Sequence, residues 1–305
     1  MRRLASTVGL CIALAGCAGA TPSRQPASAP APTAAPDSSA PAVTVSPRSS
    51  TPTPAMSPSA VAWPAGLVAY PTESSDSPLP YLEYLPRGYG DGTPAPLLVF
   101  LHGTDESGVG TEASLVKVLK HGIPRLIAAG AWLADRPFVV LMPQETRAAS
   151  EACRFGADVD RFLDYAVDRY AIDESRIYLT GISCGGIGVL DYLARSPEGR
   201  VAAAVPIATA PYEPPYEGTE VIGGCAVAKT PTWFFHGALD EIVPVSYVED
   251  AVADLRACDP PPTALKLTVY PEGHHDEDTW GRTYDGSAGD DIYRWLLDHA
   301  SKPGD

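Results

Sequence analysis

Five apolar residues in a row, Leu97-Leu98-Val99-Phe100-Leu101, constrain this chain more than any other stretch. A strand with no polar face has to be covered on both sides. Phe138 to Met142, Arg176 to Thr180, Val201 to Ile207, Thr232 to Phe235 and Leu265 to Tyr270 read as further strands. Helical patterns fall between them, at Ser114 to Ala128, Val159 to Tyr170, Gly186 to Arg195 and Val245 to Ala257, with a last one near Asp290 to His299. Strand alternating with helix predicts an α/β chain, a mostly parallel central sheet with helices on both faces. Leu67 to Ala69 and Tyr81 to Leu85 add antiparallel strands at its start. There is no internal repeat, so 66–305 reads as one domain.

The residues before it have a different texture. Arg2 and Arg3 precede a mostly apolar run from Leu4 to Gly16, the layout of a secretory signal and too short to cross a bilayer. It ends in Leu14-Ala15-Gly16-Cys17, which resembles the lipobox of bacterial lipoproteins. The resemblance implies a signal peptide over 1–16 and diacylglycerol on Cys17. A plain signal peptide cut after Ala18 or Ala20 is the alternative, and it would make the protein simply secreted. From 17 to 65 the chain is rich in Pro, Ala, Ser and Thr, and eleven of its 32 prolines lie between Ala18 and Pro64. Such a segment buries too little apolar surface to offset its ordering entropy, so a disordered tether is expected.

The net charge is −15, and the folded part holds no cluster of Lys and Arg. That argues against nucleic acid or anionic headgroups as partners, leaving a lipid anchor as the expected membrane contact. Of six cysteines, Cys11 and Cys17 belong to the signal region. Cys153, Cys184, Cys225 and Cys258 permit disulfides in an exported protein, in three possible pairings. Cys225 and Cys258 flank one strand-and-helix unit and pair first. Cys184 reads as a small buried filler unless a loop over the site joins it to Cys153. No C-x-x-C pair suggests a zinc site, and no metal or organic cofactor is expected.

Gly181-Ile182-Ser183-Cys184-Gly185 has the form G-x-S-x-G, which a chain of this length shows by chance about once in ten. Position makes it informative. Ligands in an open α/β sheet bind beyond the carboxyl ends of the strands. Ser183, Asp240 and His274-His275 each follow a predicted strand, in the order Ser, Asp, His. A serine hydroxyl needs an adjacent base, and the tight turn aims the Cys184 N–H at a developing oxyanion. The Thr104 N–H, in Leu101-His102-Gly103-Thr104, is the expected second donor, with His102 structural. Asp240 has a rival reading as a helix cap, and Glu241 is its fallback. Asp276 and Asp278 read as solvated loop charges, His121 as a loop contact and His299 as a surface residue.

The stretches LLVFLHG, KHGIPRLIAAG, FVVLMPQ, RIYLTGISCGGIG, FFHGALDEIVP and YPEGHHDEDTW occur in this order. Together they resemble the secreted α/β-hydrolases of the prolyl-oligopeptidase-like, polyhydroxybutyrate-depolymerase-like and feruloyl- or acetyl-esterase-like branch. The likeness covers nearly all of Leu79 to His299. It implies the α/β-hydrolase fold and a triad of Ser183, Asp240 (from H-G-x-x-D-x-x-V-P) and a histidine five residues after Tyr270. That spacing selects His275, with His274 as fallback, because Trp280 comes slightly late. Cys184 stands where relatives often carry Met, a change that leaves its backbone donor intact.

The expected function is a serine hydrolase of carboxylic esters acting through an acyl-enzyme. The Ala208 to Lys229 connection is too short for a large lid domain. It carries Tyr212 and Tyr216, which with Trp280 are candidate contacts for a polysaccharide, polyester or small aromatic ester. A serine peptidase of the prolyl-oligopeptidase type is the runner-up, disfavoured because no propeller is read ahead of the domain. A non-catalytic binding lipoprotein on the same scaffold is the alternative of another class.

Overall fold

The structure is a computed structural model that describes residues 61–146, 153, 156–196, 199–211, 221–262 and 264–301. Cys17, the signal-like run, most of the expected tether, Tyr212 and Tyr216 lie outside the described residues. Eight strands form one sheet: β1 Leu67–Tyr70, β2 Tyr81–Tyr84, β3 Ala95–Leu101, β4 Val139–Pro143, β5 Ile172–Ile182, β6 Ala203–Ile207, β7 Thr232–Gly237 and β8 Leu265–Tyr270. Their spatial order is β1-β2-β4-β3-β5-β6-β7-β8. β2 pairs antiparallel with both β1 and β4, and every other pairing is parallel.

Alternation along β3 shows how both faces are covered. Leu97, Val99 and Leu101 pack with α3 (Gly156–Arg169), α4 (Cys184–Arg195) and α5 (Val245–Arg256). Leu98 and Phe100 point the other way, into a second core with α2 (Gly122–Ala128), α6 (Trp280–Asp285) and α7 (Ile292–Leu297). All seven β3 residues are buried, as a run without a polar face requires.

The expected helix over Ser114 to Ala128 is not continuous. It is α1 (Glu112–Leu115), a 3₁₀ turn over Val116–Lys120, and then α2. Pro124 is the reason: in a continuous helix it would sit in the interior, without an N–H and against the Lys120 carbonyl. Restarting at Gly122 puts Pro124 in a first turn, where the missing donor is no loss. The break is made by His121 in extended conformation and Gly122 at φ 61°. α4 begins at Cys184, two residues earlier than expected, and α7 is shorter than the expected Asp290 to His299. α6 has no counterpart among the expected helices.

Gly122 is also where α2 meets the sheet. A Cβ there would lie 2.6 Å from Phe100 Cε2. Gly122→Ala combines a left-handed backbone with overpacking and is expected to lower stability by about 2–4 kcal/mol. The urea midpoint of the folded chain measures it, and a loss below about 0.5 kcal/mol contradicts this account of the break.

Candidate active site

Ser183 sits between the end of β5 and the start of α4, at φ 51° and ψ −118°. A serine seldom adopts this backbone, so its surroundings have to hold it there. Its N–H donates to Ile207 O at 2.8 Å, tying the turn to β6. The two flanking glycines let the turn close. A Cβ on Gly181 would lie 2.5 Å from the Gly185 carbonyl, and one on Gly185 only 2.0 Å from Leu101 O.

Two more strand ends deliver the partners. Asp240 follows β7 and His275 follows β8. Ser183 Oγ is 2.9 Å from His275 Nε2, and His275 Nδ1 is 2.7 Å from Asp240 Oδ2. A carboxylate only accepts, so the His275 proton lies on Nδ1 and Nε2 faces the serine as a base. Asp240 Oδ1 accepts from the N–H groups of Ile242 and Val243 at 3.0 and 2.7 Å. The rival reading of Asp240 is therefore half met: it holds this turn, while the N-cap of α5 is Pro244. His236, wholly buried, brings Nε2 to 2.9 Å from Val243 O and 3.3 Å from Asp240 Oδ2. Burial pushes the Asp240 carboxyl up, but hydrogen bonds from His236, His275 and the Val243 N–H outweigh it and hold it well below the usual range. His274 instead pairs with Glu241 at 3.2 Å on the exposed side, so neither fallback residue joins this chain of hydrogen bonds.

Cys184 opens α4 and Thr104 opens a 3₁₀ turn over Thr104–Glu106, so each N–H belongs to a first turn that has no acceptor of its own. His102 bears on the second of these. Its Nε2 accepts from Glu145 N–H at 2.9 Å, which leaves the proton on Nδ1, and that proton is donated to Gly103 O at 2.6 Å. Burial lowers its pKa and favours the neutral ring. Gly103 C=O and Thr104 N–H belong to one planar peptide and point in opposite directions. By holding the carbonyl, His102 sets the direction of the N–H.

A cleft of about 360 Å³ opens beside Ser183, His275, Ile182 and Thr104. Trp280 forms its wall rather than an exposed platform: it is 5% exposed, with ring centroids 5.2 Å from His275 and 5.5 Å from His121. Asp276 lines the cleft and accepts from the Asp278 N–H at 2.9 Å. His121 is more than a loop contact, because it also lines the cleft, together with Glu106. Sequence reasoning passed over Glu106, and only its place five residues after β3 could have drawn attention to it. His299 is half-buried, bonded to Trp295 O at 2.8 Å, and so is not simply a surface residue. Cys184 is no buried filler. It is bonded to Cys153, and Cys225 is bonded to Cys258. The first bridge ties the residue after Ser183 to the approach to α3.

Solved structures share this architecture. A thermostable esterase matches over 77% of this chain and 63% of its own length, at 23% identity and TM-score 0.55. Fluorophosphonate-binding serine hydrolase F of Staphylococcus aureus matches over 77% and 99%, at 14% identity and TM-score 0.54. An acylaminoacyl peptidase of Pyrococcus horikoshii matches over 76% and 40%, at 14% identity and TM-score 0.53. The chain thus spans less than two thirds of the esterase and under half of the peptidase. These likenesses, with the sheet order, establish the α/β-hydrolase fold. No protein-family profile and no curated protein matches the sequence.

The Asp240 environment has a consequence for stability. Its folded pKa lies below the unfolded value of about 4, so its contribution is present above that pH and fades as pH falls below it. Asp240→Asn is expected to destabilise the chain more at pH 7 than at pH 3, read as the difference in melting temperature. A difference that stays constant between these two pH values contradicts the assignment.

Proposed function

We propose that this chain is a serine hydrolase that cleaves carboxylic esters through an acyl-enzyme, using Ser183, His275 and Asp240. The observation that carries the reading is the unbroken chain of hydrogen bonds from Asp240 through His275 to Ser183 at the mouth of a cleft. In the proposed reaction His275 Nε2 takes the Ser183 proton as Oγ bonds to the ester carbonyl carbon. The resulting oxyanion accepts from the Cys184 and Thr104 N–H groups. Asp240 keeps the imidazole in position and stabilises its charged form. The imidazolium then protonates the leaving alcohol oxygen as the C–O bond breaks, which leaves the acyl group on Ser183. Water, losing a proton to Nε2, attacks the acyl carbon; Oγ departs and regains its proton, and the carboxylic acid is released.

Esters are favoured over peptides because the cleft lies open at the strand ends and an activated ester asks least of the leaving-group step. p-Nitrophenyl acetate and butyrate are expected to turn over, with kcat falling about a thousandfold or more in Ser183→Ala. Absence of turnover would sink the esterase reading. An amide analogue cleaved faster than its matched ester would move the proposal to a peptidase.

We propose that the chain is a bacterial cell-envelope lipoprotein anchored through Cys17, supported by Arg2, Arg3 and the Leu14-Ala15-Gly16-Cys17 run. Cys17→Ser is expected to move the protein from the membrane fraction to the soluble one. Equal partition of both proteins contradicts anchoring.

A further inference from the structure

The cleft beside Ser183 has an unusual charge pattern. Asp105, Glu106 and Asp276 line it, and no Lys or Arg is among the described residues that do. Two neighbouring basic side chains are held in ion pairs. Lys120 pairs with the Asp105 carboxylate at 3.1 Å and offsets that one charge, and Arg125 pairs with Glu277 at 2.8 Å. Glu277 also accepts from His121 Nδ1 at 2.6 Å and from Trp280 Nε1 at 3.1 Å, which fixes the wall between the two histidines.

Glu106 sets this apart from a scatter of surface acids. It is 2% exposed, and its Oε1 has no hydrogen-bond partner. His121 Nε2 lies 3.7 Å from Oε1, too far for a hydrogen bond. Burial raises the Glu106 pKa, opposed by the neighbouring His121 and Lys120 side chains, reinforced by Asp105 and opposed again by a hydrogen bond from Gly103. A buried carboxyl with one oxygen outside hydrogen-bond reach of any donor keeps part of its desolvation penalty, the rest being offset by the Gly103 hydrogen bond and the nearby His121 imidazole. Its field reaches the cleft through a wall of low polarisability, where it is screened less than in water. A positive group bound in the cleft would be stabilised by that field and would meet the Asp276 carboxylate at the rim.

We propose that this cleft selects esters that carry an ammonium group and rejects esters that carry a carboxylate, with Glu106 as the specificity-determining residue. The inference rests on the hydrolase reading for the word ester; the cation preference itself stands on the charge pattern.

The test compares n-hexylammonium, 1-hexanol and hexanoate as ligands of the folded chain, by calorimetry at low salt and as competitive inhibitors of p-nitrophenyl acetate hydrolysis. The wild-type chain is expected to bind hexylammonium about tenfold more tightly than hexanoate, the gap narrowing at high salt. Glu106→Gln keeps the shape and removes the charge, and is expected to erase most of that gap. Asp276→Asn, at the exposed rim, is expected to narrow it by a smaller factor and serves where Glu106→Gln does not fold. Equal binding of hexylammonium and hexanoate by the wild-type chain overturns the proposal. So does a preference that survives both substitutions. If ammonium is preferred but no ester turns over, the hydrolase reading fails and the cation subsite stands.

Discussion

The close approach of three backbone segments governs the rest of this molecule. β5 ends, turns through Ser183 and re-enters as α4 directly against the end of β3. A methyl group on Gly185 would come within 2.0 Å of Leu101 O. Only residues without a side chain at 181 and 185 let the strand and the helix pass this closely. Ser183 is thereby lifted beyond the carboxyl edge of the sheet at a backbone angle it would not choose alone. Its N–H tie to Ile207 and the covered strands on either side supply the restraint. The strain resides at the residue proposed as nucleophile, where a structure can profit from it.

Charge placement around the turn follows a consistent pattern. Asp240 is buried, yet its two oxygens are surrounded by donors: two backbone N–H groups, His275 and His236. It therefore stays ionised and fixes which His275 nitrogen carries the proton. His102 plays a comparable part for the backbone. By bonding to the carbonyl of one peptide it directs that peptide's N–H, a neutral ring acting at one remove from the proposed oxyanion. Glu106 is the contrast, a buried carboxyl whose donors are incomplete. A satisfied carboxylate thus supports the proposed chemistry, and an incompletely satisfied one in the cleft wall is the proposed determinant of which substrate enters.

Much of this was legible from one-dimensional pattern. Unbroken apolar runs identify strands covered on both faces, so β3, β4, β6 and β7 fall where hydropathy puts them. The Ser and Asp that the structure brings together are singled out by their place after strands, which leaves His274 and His275 open; the family resemblance is what selects His275. Pattern failed where an element answers to a single residue instead of a period. Pro124 and Gly122 broke a helix that the hydropathy of 114–128 presents as continuous. α6 is short and rich in polar groups, and nothing in its period separates it from a loop. His121 and Glu106 come from neighbouring turns and acquire meaning only when those turns close over one cleft. The partner of Cys184 also stayed open, because pairing depends on where the approach to α3 lies in space.

In the proposed reaction Ser183 is made nucleophilic by His275. Intact-mass spectrometry after exposure to a fluorophosphonate probe, with the modified residue mapped by peptide sequencing, reads this directly. One adduct per chain is expected, on Ser183, with labelling slowed about a hundredfold or more in His275→Ala. No adduct, an adduct elsewhere, or a His275→Ala chain labelled as fast as the wild type would contradict this mechanism.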